Sequence, residues 1–177
     1  MSSTFTSNQW PDELIRLDKA EQKRMVNSML PIFKSILSDE KIDETASFIH
    51  SLETLYLPFS SWLASQHQNK PVIIGINGAQ GSGKSTLTRI IHSILENIFE
   101  KNVVSLSIDD LYKSKHQRLI LSKEIHPLLS TRGVPGTHDT GLGVSILKHL
   151  KNKSSSEIKI PRFDKSIDDQ AAESSWS

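Results

Sequence analysis

The chain contains no cysteine among its 177 residues. This absence excludes a disulfide framework, a thiolate metal site and a cysteine nucleophile. No apolar run approaches the roughly 20 residues that a membrane-spanning helix needs. The 21 basic and 20 acidic side chains leave a net charge of only +1, so no long-range field draws the chain to nucleic acid or to anionic lipid. The N-terminus has neither an apolar h-region nor the arginines of a transit peptide, which predicts a cytoplasmic protein.

Helical patterns fill the first part of the chain. Apolar residues recur at close to 3.6-residue spacing over residues 12–37, where Pro31 is expected to kink or break the helix. A second helical pattern covers residues 39–56. Pro58 then either ends that helix or begins a short further one.

Nothing in these first helices suggests chemistry. His50 and His67 are interpreted as surface residues, because neither has a second metal ligand at helical spacing on the same face. We therefore predict an N-terminal helical segment over residues 1–69. Residues 70–177 then form the domain that carries the chemistry.

A phosphate-binding loop organises that domain. Residues 71–86 read PVIIGINGAQGSGKST and satisfy the pattern G-x-x-x-x-G-K-[ST]. The β-branched residues 72–74 predict a strand buried on both faces, and the apolar spacing over residues 87–99 predicts a helix. A chance match would occur in roughly one chain of this length in two hundred, but the strand–turn–helix context argues against chance.

The loop is expected to bind the phosphates of ATP together with Mg²⁺. Glycines let backbone N–H groups converge on phosphate oxygens, and the helix N-terminus adds its positive dipole end. Lys84 is expected to reach the outer phosphates and Ser85 to ligate magnesium. The predicted ATP-binding residues are Gly78, Ala79, Gln80, Gly81, Ser82, Gly83, Lys84, Ser85 and Thr86.

A second buried strand is predicted over residues 103–108, and two carboxylates follow it directly. Ligands of open parallel sheets bind outside the carboxyl ends of the strands, where the phosphate loop also lies. Asp109 can therefore accept a proton from a substrate hydroxyl or hold a magnesium-bound water. The alternative for Asp109 and Asp110 is structural, with one of them capping the next helix and the other solvated.

The rest of the chain alternates helices with polar loops. Helices are predicted over residues 114–129, with an interruption at Pro127, and over residues 141–150. The loop between them, TRGVPGTHDT, carries side chains that can bind an anion or a hydroxyl: Arg132, His138 and Asp139. Residues 157–163 alternate like a strand at an edge or a strand end, and Asp164 and Lys165 follow.

Taken in this order, four segments resemble the phosphate-loop kinases of small metabolites grouped with uridine kinase, phosphoribulokinase and pantothenate kinase. Within that group the chain looks most like the D-glycerate 3-kinase branch. The segments are NGAQGSGKST, SIDDLY, RGVPGTHD and PRFDKS, which begin at Asn77, Ser107, Arg132 and Pro161. The first identifies only a superfamily, whereas the set in this order is more specific.

The resemblance implies a role for each matching residue. Lys84 and Ser85 match the positions that hold the β- and γ-phosphates and magnesium, and Asp109 matches the base that deprotonates the acceptor hydroxyl. Arg132 and Arg162 are sensible clamps for a carboxylated acceptor, since a guanidinium binds a carboxylate through two parallel hydrogen bonds. The residues expected to line the acceptor pocket are Asp109, Tyr112, Arg132, His138, Asp139, Arg162 and Asp164.

The resemblance also implies a three-layer α/β P-loop fold with a parallel sheet, here incomplete and preceded by the helical segment. Family members continue into an acidic strand and a helical lid, for which this chain has no counterpart. The implied reaction is transfer of the ATP γ-phosphoryl group to a hydroxyl of a small acid, with D-glycerate favoured. Two alternatives stay open: another acceptor such as a nucleoside or pantothenate, and a nucleotide-binding remnant or interaction subunit without turnover. An incomplete sheet would also favour self-association or a complementing chain.

Overall fold

The computed structural model of the chain describes residues 18–67, 70–152 and 157–176. The chain divides into two compact units, Met1–Ser105 and Leu106–Ser177. The domain boundary suggested by the sequence, between residues 69 and 70, falls within the first unit and stays a prediction. The described residues are mostly helical, with a small two-stranded sheet. Within them, no helix is long and apolar enough to cross a membrane.

The first unit is built from helices. In chain order they are α1 (Lys19–Asp39), α2 (Ala46–Ser51), a π-helical stretch (Leu52–Tyr56), α3 (Leu57–Gln66) and α4 (Lys84–Asn97). The second predicted helix is therefore shorter than its pattern, since it begins at Ala46 and not near residue 39. Part of the first predicted helix, residues 12–17, lies outside the described residues.

Pro31 does not break α1, so the break that the sequence offered beside a kink is not formed. The helix continues through Pro31, although a proline in a helix interior removes one backbone hydrogen bond. Met29 and Phe33, on either side of it, are fully buried in the core of the unit. Burial of two such side chains contributes about 1.5–3 kcal/mol each, which offsets the roughly 3 kcal/mol cost of the proline.

Helix α4, which follows the phosphate loop, is held by two apolar clusters. Ile90 and Ile94 pack with residues of α1, the π-helical stretch and α3. Ile91 and Leu95 form a second cluster with Leu63 of α3. The predicted helix over residues 87–99 is thus confirmed, and it begins three residues earlier, at Lys84. The packing of α4 fixes the start of the helix at the loop.

The two predicted central strands are not formed, which corrects the sequence interpretation. Residues 72–76 and 103–108 carry no strand ladder in the structure. Ile73, predicted to be buried on both faces, is 62% exposed. A strand needs a neighbour for its backbone N–H and C=O groups, and neither segment finds one among the described residues. β-branched composition alone was therefore insufficient to specify a strand.

The second unit combines two helices, short 3₁₀ turns and a hairpin. Helix α5 (Lys115–Glu124) is followed by a 3₁₀ turn at Pro127–Ser130, which confirms the predicted interruption, and by α6 (Thr140–Lys151). Strands β1 (Phe163–Asp164) and β2 (Asp169–Gln170) pair antiparallel, with Phe163 opposite Gln170. The predicted strand over residues 157–163 thus reaches a ladder only at Phe163.

Candidate functional site

The phosphate loop has the backbone conformation that its glycines predict. Gly81 and Gly83 have φ angles of 75° and 80°, in the left-handed region that favours glycine. At Gly78, a Cβ atom would lie 2.8 Å from the Ser82 hydroxyl oxygen, so a side chain there would require the Ser82 side chain to shift. The Ser82 N–H donates to the Ala79 carbonyl at 3.2 Å and closes that turn. Gln80 is exposed within it.

The loop leads directly into the N-terminus of α4. Gly83 is the residue before the helix and supplies no side-chain cap. The N–H groups of the first helical turn have no partner within the helix, and the helix dipole places partial positive charge there. Ser85, an exposed residue, and Thr86 lie in this turn. This arrangement is suited to bind an anion such as a phosphate.

Lys84 folds its side chain back over the loop. Its Nζ donates to the carbonyls of Gly78 at 2.8 Å and Ala79 at 2.6 Å. An ammonium has three donors, so one N–H remains for an oxygen outside these two bonds. The lysine therefore lies over the loop with its positive charge placed for an anion.

The two neighbouring carboxylates of the second unit have different partners. Asp110 accepts hydrogen bonds from the N–H groups of Ser107 at 2.9 Å and Phe163 at 3.1 Å, and from Arg162 Nη1 at 3.3 Å. Asp110 therefore has the structural role that the sequence left open. Asp109 pairs with Lys165 at 2.7 Å, and its side chain is 30% exposed. It is the more accessible of the two.

Tyr112 and His138 face each other across an isolated antiparallel bridge. Their rings stack at a centroid distance of 4.3 Å, and Phe163 meets the Tyr112 ring edge-on at 5.2 Å. Burial, together with the charge of Asp109, raises the pKa of Tyr112 above its ordinary value, so its phenol stays protonated. His138 Nε2 is buried and has no hydrogen-bond partner among the described residues. The two side chains lie together, and their role in an acceptor pocket stays a prediction.

The two predicted clamp arginines each hold a carboxylate of the protein itself. Arg132 Nη1 donates to Asp168 Oδ1 at 2.7 Å. Arg162 Nη1 donates to Asp110 at 3.3 Å. In this structure Arg162 therefore fastens the hairpin to the start of the unit. Arg132, with a side chain 37% exposed, is the more accessible guanidinium.

The last two predicted acceptor residues serve local structure. Asp139 Oδ1 accepts from the Leu142 N–H at 2.9 Å and caps α6. Asp164 Oδ1 accepts from the Ser166 hydroxyl at 2.6 Å and from the Ser166 N–H at 2.8 Å. These bonds lower the pKa of Asp164 below its ordinary value. Roles for either residue toward an acceptor stay a prediction.

Arg118 and Asp168 are central to the second unit and were not singled out in the sequence. Arg118 is fully buried and donates to the carbonyls of Lys113 at 3.2 Å, Ser130 at 3.1 Å and Asp168 at 2.5 Å. It also contacts Asp168 Oδ2 at 3.1 Å. No local pattern distinguished either residue, because Arg118 lies in an amphipathic helix and the residues after Asp164 read as polar without periodicity.

Replacing Arg118 by alanine is expected to destabilise the second unit by about 3–5 kcal/mol. The change leaves three carbonyls without this donor and removes a fully buried side chain. Urea unfolding followed by circular dichroism measures the loss. Arg89→Ala is the matched control, because Arg89 makes an exposed pair with Asp39 and Glu40 that should contribute at most about 1 kcal/mol. Equal losses in the two variants would contradict the anchoring role of Arg118.

The pH dependence of the stability of the second unit has a defined sign. Burial acts to raise the pKa of Asp168, but hydrogen bonds from Arg118 and Arg132 outweigh it and hold the pKa below the ordinary 3.8. A lowered folded-state pKa adds stability above pH 3.8, and this stability is lost as the pH falls through the folded value. Arg118→Ala should therefore also reduce the fall in the free energy of unfolding that accompanies a fall in pH below 3.8.

No protein-family model matches the chain. Among curated proteins, it is 37% identical over 115 residues to an uncharacterized kinase of Schizosaccharomyces pombe, mug58, covering 62% of this chain and 41% of that protein. It is 28% identical over 159 residues to a pantothenate kinase of Streptococcus thermophilus, covering 90% and 48% of the two chains. A pantothenate kinase of Streptococcus mutans is 27% identical over 143 residues, covering 81% and 42%.

These three relatives are named as kinases, two of them as pantothenate kinases. The chain thus resembles proteins named as kinases, and it carries a phosphate loop of its own. The chain spans less than half the length of each of these relatives.

Proposed function

We propose that this chain supplies the nucleotide-binding and acceptor-binding residues of an ATP-dependent kinase that phosphorylates a hydroxyl of a small hydroxy acid. The observation that carries the proposal is the phosphate loop, with two left-handed glycines leading into the uncapped N-terminus of α4. The kinase names of the relatives support the same reaction class. The parallel-sheet P-loop kinase fold is part of this proposal and not an observation, because the described residues form no parallel sheet.

The residues of the loop fit a triphosphate and its magnesium ion. The positive φ angles of Gly81 and Gly83 are those of a glycine-rich turn, in which the backbone can approach a ligand closely. We assign the outer phosphates to Lys84 and a magnesium ligand to Ser85. When bound, magnesium neutralises part of the charge on the transferring group.

In the proposed reaction, Asp109 orients the acceptor hydroxyl and accepts its proton. The acceptor oxygen forms a bond to the γ-phosphorus as the bond from that phosphorus to the bridging β,γ-oxygen breaks, and ADP leaves. Lys165 neutralises Asp109 in the resting protein, and its side chain is 64% exposed, so it can move aside for an acceptor. The neutral Tyr112 phenol and His138 would bind the acceptor beside it.

The acceptor class is a hydroxy acid, for which two candidates stand out. The sequence motifs favour D-glycerate, and the names of two relatives favour pantothenate. Both carry a carboxylate and a free hydroxyl, which suits Arg132 as a carboxylate ligand. A nucleoside has no carboxylate and is the contrasting acceptor.

An acceptor screen tests the proposal. The chain is incubated with ATP·Mg and with D-glycerate, pantothenate or uridine, and both ADP release and calorimetric binding are recorded. We expect one of the acids to bind and uridine to give no signal. Binding of uridine alone would contradict the hydroxy-acid class.

The second candidate is nucleotide binding without turnover. The ion pair between Asp109 and Lys165 favours this candidate, because it engages the carboxylate that is the proposed general base. ATP binding without ADP release for any acceptor would select this candidate over the first.

We further propose that the chain associates with itself through residues 72–76. Ile73 in this segment is largely exposed, and a cavity of about 600 Å³ lined by Phe59 and Trp62 opens beside it. An apolar segment with unpaired backbone groups recruits partners. Sedimentation at several concentrations should show association that Ile73→Lys weakens and that Ile125→Lys, at a similarly exposed isoleucine of the other unit, leaves unchanged.

A concentration-independent monomer that melts cooperatively above about 50 °C would contradict self-association, since this is ordinary behaviour for a complete domain.

A further inference from the structure

Three charged side chains of the second unit, Arg118, Asp168 and Arg132, form a connected set that we call the arginine–aspartate trio. We infer that the trio recognises the carboxylate of the acceptor, with Arg132 in contact with it and Asp168 acting as a positioning residue. The inference rests on the proposed function, because it specifies how a hydroxy acid is distinguished from an uncharged alcohol.

Asp168 is held rigidly before any ligand binds. Arg118 Nη2 donates both to its carbonyl, at 2.5 Å, and to its Oδ2, at 3.1 Å. Arg118 is itself fully buried and tied to two further carbonyls, so it cannot follow a moving carboxylate. Asp168 also has a φ of 54°, a conformation that non-glycine residues rarely adopt and keep only when their surroundings impose it. The carboxylate is therefore a fixed point and not a side chain that swings away to admit a ligand.

That fixed carboxylate orients Arg132 through one nitrogen only. Nη1 of Arg132 donates to Asp168 Oδ1 at 2.7 Å. Its guanidinium carbon lies 5.8 Å from the centre of the Phe163 ring, which restrains it further. Within the described residues, Nε and Nη2 of Arg132 make no hydrogen bond. These two nitrogens form the edge of a guanidinium that binds a carboxylate through two parallel hydrogen bonds.

The net charge of the trio also favours a carboxylate ligand. Two guanidinium groups and one carboxylate give the trio a net charge of +1, and one further carboxylate neutralises it. Phe163 lies near both guanidinium groups, with centroid distances of 5.9 Å for Arg118 and 5.8 Å for Arg132. An aromatic neighbour and partial burial reduce screening by water, which strengthens attraction to an anion. An uncharged hydroxyl in the same place would leave the trio with its excess charge.

The test compares an acid with the alcohol that differs from it only at the carboxylate. Calorimetric titrations of the chain, with a non-hydrolysable ATP analogue and magnesium present, use pantothenate against pantothenyl alcohol and D-glycerate against glycerol. We expect the parent to bind one acid at least about tenfold more tightly than its alcohol. Asp168→Asn should reduce this preference to about threefold or less, with alcohol and nucleotide affinities unchanged. A purely structural role would weaken the acid and the alcohol equally.

Two further variants keep the test decisive if Asp168→Asn does not fold. Arg132→Met removes the charge and the two-nitrogen edge from a side chain that is 37% exposed, leaves the Arg118 bonds in place, and should lose the preference as well. Arg132→Lys keeps the charge but not the two-nitrogen edge, and it too should lose the preference. Glu173→Gln is the matched control, because Glu173 pairs with Lys159 on the exposed surface of the same unit.

Three results would overturn the inference. The first is a preference for the acid that survives, or increases, in Asp168→Asn. The second is a preference that survives Arg132→Lys. The third is equal binding of acid and alcohol by the parent chain, which would reject the acid class while leaving the nucleotide site intact.

Discussion

Replacing Asp109 by asparagine is expected to lower kcat for phosphoryl transfer by roughly 10²-fold or more, with little change in the KM for ATP. The amide has nearly the shape of the carboxylate but cannot take the proton of the acceptor hydroxyl. A general base contributes mainly in the transition state, so the effect falls on kcat. The measurement is steady-state kinetics on a form of the protein that turns over, with ATP varied at saturating acceptor.

The control for Asp109 is its neighbour. Asp110 accepts two backbone hydrogen bonds and one from Arg162, so Asp110→Asn should lower the free energy of unfolding and not kcat selectively. A variant at Asp109 that retains most of its turnover would assign it a structural role. Its ion pair with Lys165 would then be its whole function.

Replacing Lys84 by alanine is expected to weaken ATP·Mg binding by roughly tenfold or more while leaving the helical content unchanged. A hydrogen bond to a charged group is worth about 1.5–3 kcal/mol, and within the described residues the lysine ammonium donates only to the loop carbonyls of Gly78 and Ala79. Circular dichroism checks the helices and calorimetry measures the affinity. Lys101→Ala, a lysine of the same unit outside the loop, is the control. Equal affinity of the parent and Lys84→Ala would contradict the role of this lysine.

The phosphate loop and most helices were predictable because their determinants are local. The spacing of Gly78, Gly83 and Lys84 specifies a turn and a helix start within seven residues, and α4 begins where that pattern ends. Helix α5 likewise has a capping box at Ser114 that its own sequence supplies. Such features need no partner from distant parts of the chain.

The failure of the two central strands to form and the carboxylate partner of Arg132 were not predictable, because both depend on distant residues. The β-branched run over residues 72–74 has strand propensity, yet no neighbouring strand pairs with it among the described residues. Conversely, Asp168 gains its importance from Arg118, fifty positions earlier, through bonds that no local pattern encodes. Arg132 was expected to clamp a ligand, but the sequence did not reveal the carboxylate that already orients it.

The most direct test of the central claim, that the glycine-rich loop binds nucleotide phosphates, is a calorimetric comparison of ATP·Mg with adenosine on the unmodified chain. The loop and the N-terminus of α4 contact only phosphates in this proposal, so ATP·Mg should bind with 1:1 stoichiometry. Adenosine should bind at least about a hundredfold more weakly, because charge-assisted hydrogen bonds to phosphate supply most of the affinity. Equal binding of the two ligands, or no binding of ATP·Mg, would contradict the claim.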